Sequence, residues 1–370
     1  EIVELSELLR SKYFCPEGIP RSDYRNPAGV SMQVNAFTGL DGSGRKGTTT
    51  SKLFRDIWCE YGFDEHGIES LEAKEPINKL RRDKNAILNR IKGTDSFVFL
   101  GEELFFDPPG FFVEVAELLD DRPQTIFYGP PGTGKTYAAL KLAALLAGDD
   151  SRTTLIQFHP SYAYEDFVEG WRPTENEGFK IQDGPLKRMA DEAAKNPKDE
   201  KFVLVIDEIN RANLSKVLGE LFFLLEYRDR AITLQYSEKE FRLPENLLII
   251  GTMNTADRSI ALVDAALRRR FHFHGFFPDR EPIDGLLRRW LEAKDKKDLV
   301  WVADLVDRAN SKLDERDLAI GPSHFMKSEL DEEMVKRIWK HSIVPYIEDH
   351  YFDDPDLAAE FTYEQLRNNN

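Results

Sequence analysis

A run of eight residues, 129–136, carries the clearest chemical signal in the sequence. It reads Gly-Pro-Pro-Gly-Thr-Gly-Lys-Thr and matches the pattern G-x-x-x-x-G-K-T in full. An apolar segment precedes the run and an amphipathic one follows it, so it has the strand-loop-helix frame that binds phosphate. Lys135 then meets the β- and γ-phosphates, and Thr136 offers its hydroxyl to Mg²⁺. The predicted nucleotide-binding residues are Gly129, Pro130, Pro131, Gly132, Thr133, Gly134, Lys135 and Thr136.

An acidic pair follows a second apolar segment. Residues 202–206 are Phe-Val-Leu-Val-Ile, and Asp207 and Glu208 come directly after them. Alone, such a pair is more often a solvated strand end, but a phosphate loop upstream favours a catalytic role. We predict that Asp207, together with Thr136, holds Mg²⁺. Glu208 is predicted to orient or activate the attacking water.

Asn254 and Asp257 come after the apolar segment 247–251. A polar side chain at the carboxyl end of a parallel strand lies in the crevice where ligands bind. Asn254 is therefore predicted to contact the γ-phosphate or the water, and Asp257 is a second candidate. The alternative is that both side chains only cap a turn.

Three consecutive arginines, 268–270, end the next helical segment. In a nucleotide hydrolase they are candidate arginine fingers, which enter the neighbouring subunit's site and stabilise charge in the transition state. Arg269 and Arg270 are the better candidates because they lie nearest the strand that follows. The alternative is that the cations only favour the helix C-terminal dipole.

The scaffold predicted around these residues is an α/β fold with a parallel sheet flanked by helices. Short apolar segments alternate with amphipathic ones. The predicted strands are 125–128, 154–158, 202–206, 247–251 and 271–274. Helices are predicted over 111–119 and 135–146, and apolar residues from 214 to 225 recur on one helical face. After residue 278 the helical segments 283–293, 299–313 and 332–347 predict a C-terminal α-helical domain.

Composition limits the remaining possibilities. The chain has 370 residues and a net charge of −16, so DNA contact is expected from another domain or from an assembled complex. No apolar run approaches the length of a membrane span, and the two cysteines, Cys15 and Cys59, form no metal or disulfide pattern. A cytoplasmic protein is expected. We divide the chain into an accessory region of unknown role (1–110), a nucleotide-binding domain (111–278) and a helical lid (279–370).

The order of these motifs resembles that of AAA+ nucleotide hydrolases, and three segments carry a more specific resemblance. Residues 158–170, 206–213 and 251–259 resemble the McrB family, the motor subunits of modification-dependent restriction systems. The resemblance covers roughly 124–278. It implies a homo-hexameric ring that hydrolyses GTP with Mg²⁺, and a separate McrC-type subunit that stimulates hydrolysis and carries the nuclease. No guanine-reading N-K-x-D motif is present, so the preference for GTP rests on the resemblance alone.

The same resemblance implies roles for two further segments. Residues 165–181 look like a hairpin insertion that faces the ring centre or a partner, and Asn210 looks placed to relay the partner's effect to the water. One departure concerns the lid. Residues 321–325 occupy the region where many AAA+ proteins carry a sensor arginine, and they contain none.

The sequence allows four other interpretations. A MoxR-like ATP-dependent remodelling chaperone shares the helix insertion, and a module that binds nucleotide without hydrolysis is disfavoured by Asp207 and Glu208. Pro278-Asp279 with Glu292-Ala293-Lys294 imitates a nuclease motif, but its Glu-x-Lys lies in a helical stretch. The run 42–47 formally matches G-x-G-x-x-G, yet it lacks a flanking strand and helix and is interpreted as a flexible loop.

Overall fold

The computed structural model describes residues 94–174, 178–256 and 265–368. All of them belong to the unit Leu88–Asn370. The loop at 42–47, both cysteines and the candidate Asp257 lie outside the described residues.

A five-stranded parallel sheet forms the centre of the nucleotide-binding domain. Its strand order is β2-β5-β8-β1-β9, so the strand that precedes the phosphate loop, β1, lies between β8 and β9. The strands are β1 (Gln124–Gly129), β2 (Thr153–Gln157), β5 (Phe202–Asp207), β8 (Leu247–Asn254) and β9 (His272–Gly275). The predicted parallel α/β fold is confirmed. β8 runs three residues beyond its predicted end, which places Asn254 on the strand.

Helices cover the sheet on both faces. They are α1 (Phe111–Asp121), α2 (Lys135–Ala147), α3 (Tyr164–Phe167), α4 (Pro185–Ala193), α5 (Leu214–Leu218), α6 (Leu221–Glu226) and α7 (Ala265–Arg268). The apolar pattern over 214–225 predicted one helical face, but the structure divides it at Gly219, which has a φ of 50°. Because that conformation interrupts the helical backbone, the apolar residues lie on two short helices that share one side of the core.

An insertion projects from the domain between α3 and α4. It is an antiparallel hairpin of β3 (Glu169–Thr174) and β4 (Gly178–Asp183), as the resemblance implied for 165–181. Trp171 and Phe179 on it are 50% and 73% exposed. A smaller hairpin, β6 (Ile232–Thr233) and β7 (Glu240–Phe241), precedes β8.

Residues 94–110 take part in the core of the nucleotide-binding domain. A helical segment over 94–103 contributes Leu100, and the turn after it contributes Leu104 and Phe106. These side chains are buried in the same hydrophobic cluster as Phe112 of α1 and Phe127 of β1. Leu100, Leu104 and Phe106 therefore pack as part of the α/β layer.

The C-terminal part is helical, with its own core around Trp339. Its helices are α8 (Leu286–Ala293), α9 (Trp301–Lys312), α10 (Glu332–Ile338), α11 (Val344–His350), α12 (Pro355–Ala359) and α13 (Tyr363–Asn368). The single helix predicted over 332–347 is interrupted by a π-helical turn, Trp339–Ile343, just before Pro345. Proline has no N–H to donate, which favours such a turn. Among the described helices, none combines the length and apolar character that crossing a bilayer requires.

Candidate active site

The phosphate loop joins the end of β1 to the start of α2. Gly132 and Gly134 have φ angles of 75° and 86°, in the left-handed region that side chains rarely adopt. Gly134 is the residue before the first turn of α2, so the backbone N–H groups of the loop lie next to the helix N-terminus. The eight predicted residues, 129–136, therefore form one continuous loop at the carboxyl edge of the sheet.

Lys135 is folded into this loop. Its side chain is 5% exposed, and Nζ donates to the carbonyl oxygens of Gly129 at 3.0 Å and Pro130 at 2.7 Å. Burial lowers the pKa of Lys135 to about 8, although the nearby carboxylates of Glu208 and Asp207 partly oppose the shift. The loop thus holds a partly desolvated cation, and phosphate oxygens would neutralise it better than carbonyls do.

Asp207 connects the loop to the neighbouring strands. Its Oδ1 accepts a hydrogen bond from Thr136 Oγ1 at 2.7 Å and another from Thr252 Oγ1 at 2.5 Å. A carboxylate and a hydroxyl at this separation are the oxygen donors that Mg²⁺ prefers, so the residues present fit that ion. Among the described residues no group of three or more His, Cys, Asp or Glu could hold a metal.

Thr252 was not identified from the sequence. It lies on β8, is 2% exposed, and accepts a hydrogen bond from the Glu208 N–H at 3.3 Å while donating to Asp207. The one sequence feature that could have identified Thr252 is that a hydroxyl residue directly follows the apolar segment 247–251. Thr252 thereby fixes both members of the acidic pair against β8.

Glu208 has a strained backbone, and its side chain is held by two polar neighbours. Its φ and ψ are 54° and 45°, a left-handed conformation that costs about 1 kcal/mol or more for a residue other than glycine. Oε1 accepts a hydrogen bond from Asn254 Nδ2, and Oε2 lies 3.4 Å from Arg211 Nε. Strand register places Asn254 opposite Gly129, the first residue of the phosphate loop. The carboxylate is therefore held beside the loop.

Asn210 extends this network by one step. It is 8% exposed, and its Nδ2 donates to the Asn254 backbone carbonyl at 3.1 Å. Its Oδ1 is buried without a hydrogen-bond partner. Asn210, Asn254 and Glu208 therefore form one connected chain of polar groups.

The candidate arginines lie at the opposite edge of the sheet. Strand β9 begins level with the first residues of β1, since Thr125 pairs with His272. Five strand residues separate that edge from Gly129, a distance of roughly 17 Å. The Arg269 side chain is 65% exposed, whereas Arg270 is 10% exposed and lies 3.1 Å from Glu226 Oε2. The arginines are thus not part of the same subunit's phosphate site.

A lid segment contacts the phosphate loop directly. The Ser323 N–H donates to the Gly132 carbonyl at 2.9 Å, and the His324 ring packs on Gly132. A Cβ at Gly321 would lie 2.1 Å from the Gly132 carbonyl carbon. Burial, with the nearby Lys327 charge, holds the pKa of His324 below its usual range, so the ring is neutral at pH 7. This contact of the arginine-free segment 321–325 was not predicted.

Three ionisable residues outside this cluster, His274, Asp279 and Glu292, lie in structural surroundings. His274 packs edge-on against the rings of Phe111 and Phe127, with centroids 5.6 and 5.9 Å away, and burial lowers its pKa to about 4. Asp279 pairs with Arg316 at 2.7 Å. Glu292 lies on helix α8 and not on a strand, so the described structure offers no strand-borne frame for the nuclease-like motif.

Family models match both parts of the described structure. A model for an AAA domain of the dynein-related subfamily matches residues 124–271, and one for the α-helical lid domain of McrB matches 302–359.

Individual relatives agree with the family models. The EcoKMcrB subunit of the type IV methyl-directed restriction enzyme of Escherichia coli K12 is 37% identical over 284 residues, which cover 70% of this chain and 61% of that protein. Component YdiS of the type II restriction enzyme BsuMI of Bacillus subtilis 168 is 27% identical over 275 residues, or 61% of this chain and 78% of that protein.

Among solved structures, a putative ATPase from Cytophaga hutchinsonii aligns with a TM-score of 0.39 at 13% identity, covering 62% of this chain and 67% of that one, too low to add to the assignment. The present chain spans about three fifths of the length of its E. coli relative. A phosphate loop with its acidic pair, on a parallel sheet followed by a McrB-type lid, leaves one conclusion: this chain belongs to the McrB family of AAA+ nucleoside triphosphatases.

Proposed function

We propose that the chain is the motor subunit of a McrBC-like restriction endonuclease directed at modified DNA, and that GTP is its favoured substrate. The observation that carries the proposal is the hydrogen-bonded cluster at the carboxyl edge of the sheet. There Asp207 is bonded to Thr136, and Glu208 is bonded to Asn254. The two restriction-enzyme relatives support the biological setting.

The cluster accounts for hydrolysis by the chain's own residues. Thr136 and Asp207 would hold Mg²⁺, which supplies positive charge to the β- and γ-phosphate oxygens when bound. Lys135 exchanges its carbonyl acceptors for phosphate oxygens. Glu208 accepts a hydrogen bond from the attacking water, whose oxygen bonds to the γ-phosphorus as the bond to the β,γ-bridging oxygen breaks. Asn254 keeps the Glu208 carboxylate facing the loop, and Asn210 holds Asn254 through its backbone.

The position of the arginines supports action between subunits. The backbone that carries the arginines lies level with the start of β1, roughly 17 Å along the strand from its own phosphate loop. That is farther than an arginine side chain extends, whereas a neighbouring subunit in a ring could receive it. Arg269 is the better finger candidate of the two because it is 65% exposed. Arg270, buried against Glu226, supports it. We propose a homo-hexamer on this ground and on the family likeness, and Asp257 stays a sequence-based candidate for the same site.

Partners follow from the family and from charge. We propose a McrC-like nuclease subunit that binds the ring, with the hairpin β3–β4 and Asn210 as the route by which it stimulates hydrolysis. DNA is reached through another domain or the complex, since the chain carries a charge of −16. A cytoplasmic location and the division into 1–110, 111–278 and 279–370 are retained as proposals, with the apolar residues of 94–110 serving the nucleotide-binding domain.

The decisive experiment is a turnover assay with GTP and with ATP, each with and without a McrC-like subunit. We expect hydrolysis of GTP to exceed that of ATP and to rise when the subunit is added. A preference for ATP and no response to the subunit would favour the MoxR-like chaperone instead. Binding without turnover of either nucleotide would contradict the assignment of Glu208.

A further inference from the structure

A buried amide at the start of β1 holds the backbone of the candidate fingers. Gln124 is fully buried, and its Nε2 donates to the carbonyl oxygens of Arg270 at 2.8 Å and Leu225 at 2.7 Å. Its Oε1 accepts from Arg228 Nη2 at 2.7 Å. A primary amide has two N–H groups, and both are used here, so any rotation would leave buried polar groups unsatisfied. Gln124 therefore has one stable orientation.

The residue two positions earlier supports the same loop. Arg122 Nη1 donates to the Arg269 carbonyl at 2.7 Å. The carbonyls of both finger candidates thus accept hydrogen bonds from side chains that flank the start of one strand. That strand, β1, ends in the phosphate loop of its own subunit. Among the described residues, no side-chain hydrogen bond joins Gln124 or Arg122 to that loop.

We infer that Gln124, assisted by Arg122, is a positioning residue for the arginine finger and so acts on hydrolysis in the neighbouring subunit's site. The inference rests on the proposed function, in which Arg269 acts between subunits. Within the described ranges, the Arg269 side chain has one ion pair, a long one at 3.6 Å from Glu226. Its direction is therefore set mainly by its backbone, which these hydrogen bonds fix. A misplacement of about 1 Å at a catalytic group can lower turnover by on the order of 10²-fold.

The test uses the complementation of mixed rings. Gln124→Met is nearly isosteric and removes both donors, whereas Gln124→Glu keeps an acceptor for Arg228 and loses the donors to the two carbonyls. Arg122→Ala, at a half-exposed position, removes the second support without threatening the fold. We expect each variant to bind nucleotide with unchanged affinity in a fluorescence titration. Turnover should fall by roughly 10- to 10²-fold for the Gln124 variants.

A matched control is Asn246→Leu. Asn246 is also a buried amide, and its Nδ2 donates to three carbonyls, those of Ala193, Pro197 and Glu200, away from the arginines. Its replacement removes hydrogen bonds of the same kind. Any loss of turnover in this variant should be unchanged by mixing with other variants.

Mixing separates a positioning role from a merely structural one. Glu208→Gln subunits carry intact fingers, so adding them to Gln124 variants should restore turnover. Adding Arg269→Ala subunits should not restore it, because neither partner then supplies a working finger. The role of Gln124 would be overturned if Arg269→Ala subunits restored turnover to the Gln124 variants. It would also be overturned if Glu208→Gln subunits restored turnover to Arg269→Ala but not to the Gln124 variants. If Arg269→Ala is not restored by Glu208→Gln in confirmed mixed rings, the finger between subunits is wrong and this inference falls with it.

Discussion

The substitution Gly321→Ala tests whether the lid really rests on the phosphate loop. Gly321 has a φ of −75° and a ψ of 150°, a conformation that alanine adopts without strain. The added Cβ would lie 2.1 Å from the Gly132 carbonyl carbon, 2.3 Å from its oxygen and 2.5 Å from the Pro131 oxygen. All three are backbone atoms of the loop, so no side chain can move aside. The only effect of the new methyl group is steric.

The size of the effect follows from the distances. Carbon atoms in contact prefer about 3.5–4.0 Å, so the lid turn must retreat by more than about 1 Å. The hydrogen bond from the Ser323 N–H to Gly132, now 2.9 Å, would then be lost. Overpacking of this kind costs roughly 1–3 kcal/mol. If that energy opposes the closed lid, nucleotide affinity should fall by roughly fivefold to 10²-fold.

The assay is a titration with a fluorescent nucleotide, together with a denaturant midpoint. Gly110→Ala is the control, because Gly110 has a φ of −73° and nothing within 4 Å of an added Cβ. It should match the wild type in both measurements. If Gly321→Ala also matches the wild type in both, the contact between lid and loop does not exist in solution.

Four further outcomes are expected. Glu208→Gln should bind nucleotide and assemble yet lose turnover, measured by phosphate release; near-normal turnover would contradict its role. Arg269→Ala should lower turnover by on the order of 10³- to 10⁵-fold and regain activity when mixed with Glu208→Gln. Thr252→Val should raise the Mg²⁺ concentration needed for half-maximal turnover, because Asp207 loses a hydrogen-bond donor that holds it in place. An unchanged Mg²⁺ titration would refute this. Nucleotide affinity should fall as pH rises through about 8, where Lys135 of the nucleotide-free protein loses its proton. The affinity of Lys135→Arg should not change with pH over that range.

The pH expectation also fixes the sign of a stability effect. The pKa of Lys135 is lowered on folding, so the unfolded chain binds more protons between about pH 8 and the ordinary pKa of lysine. The contribution of Lys135 to the free energy of unfolding of the nucleotide-free protein therefore increases as pH rises through that window. Affinity and stability should consequently move in opposite directions there.

The local parts of the site could be predicted from the sequence because their signals are local. The phosphate loop and the pair Asp207 and Glu208 each lie within one short segment that begins or ends an apolar strand. The parallel fold followed from the same alternation of segments. Asn254 was found for the same reason, although the strand that carries it is longer than its apolar run.

What the sequence could not provide are contacts between distant segments. Gly321 meets Gly132 across 189 positions of sequence, and no pattern near either glycine records that approach. Gln124 lies one residue before the predicted strand 125–128, and no sequence pattern indicates its hydrogen bond to the Arg270 carbonyl. Gly219 was visible in the sequence, but the apolar spacing on both sides of it favoured one helix, and its positive φ decided otherwise.

The two ends of β1 explain why a single subunit should be a poor enzyme. The carboxyl end carries the phosphate loop, with Lys135, Asp207 and Glu208 gathered around it. At the other end, Gln124 donates a hydrogen bond to the carbonyl of Arg270, one of the candidate fingers. The strand between them is stiff, since β8 and β9 pair with it on both sides. Under the proposed function, this spacing of roughly 17 Å keeps the candidate finger from its own subunit's γ-phosphate, so that it would complete a neighbour's site. If the proposed function is right, assembly is a condition for efficient turnover, and a change at Gln124 acts on the neighbouring subunit's site.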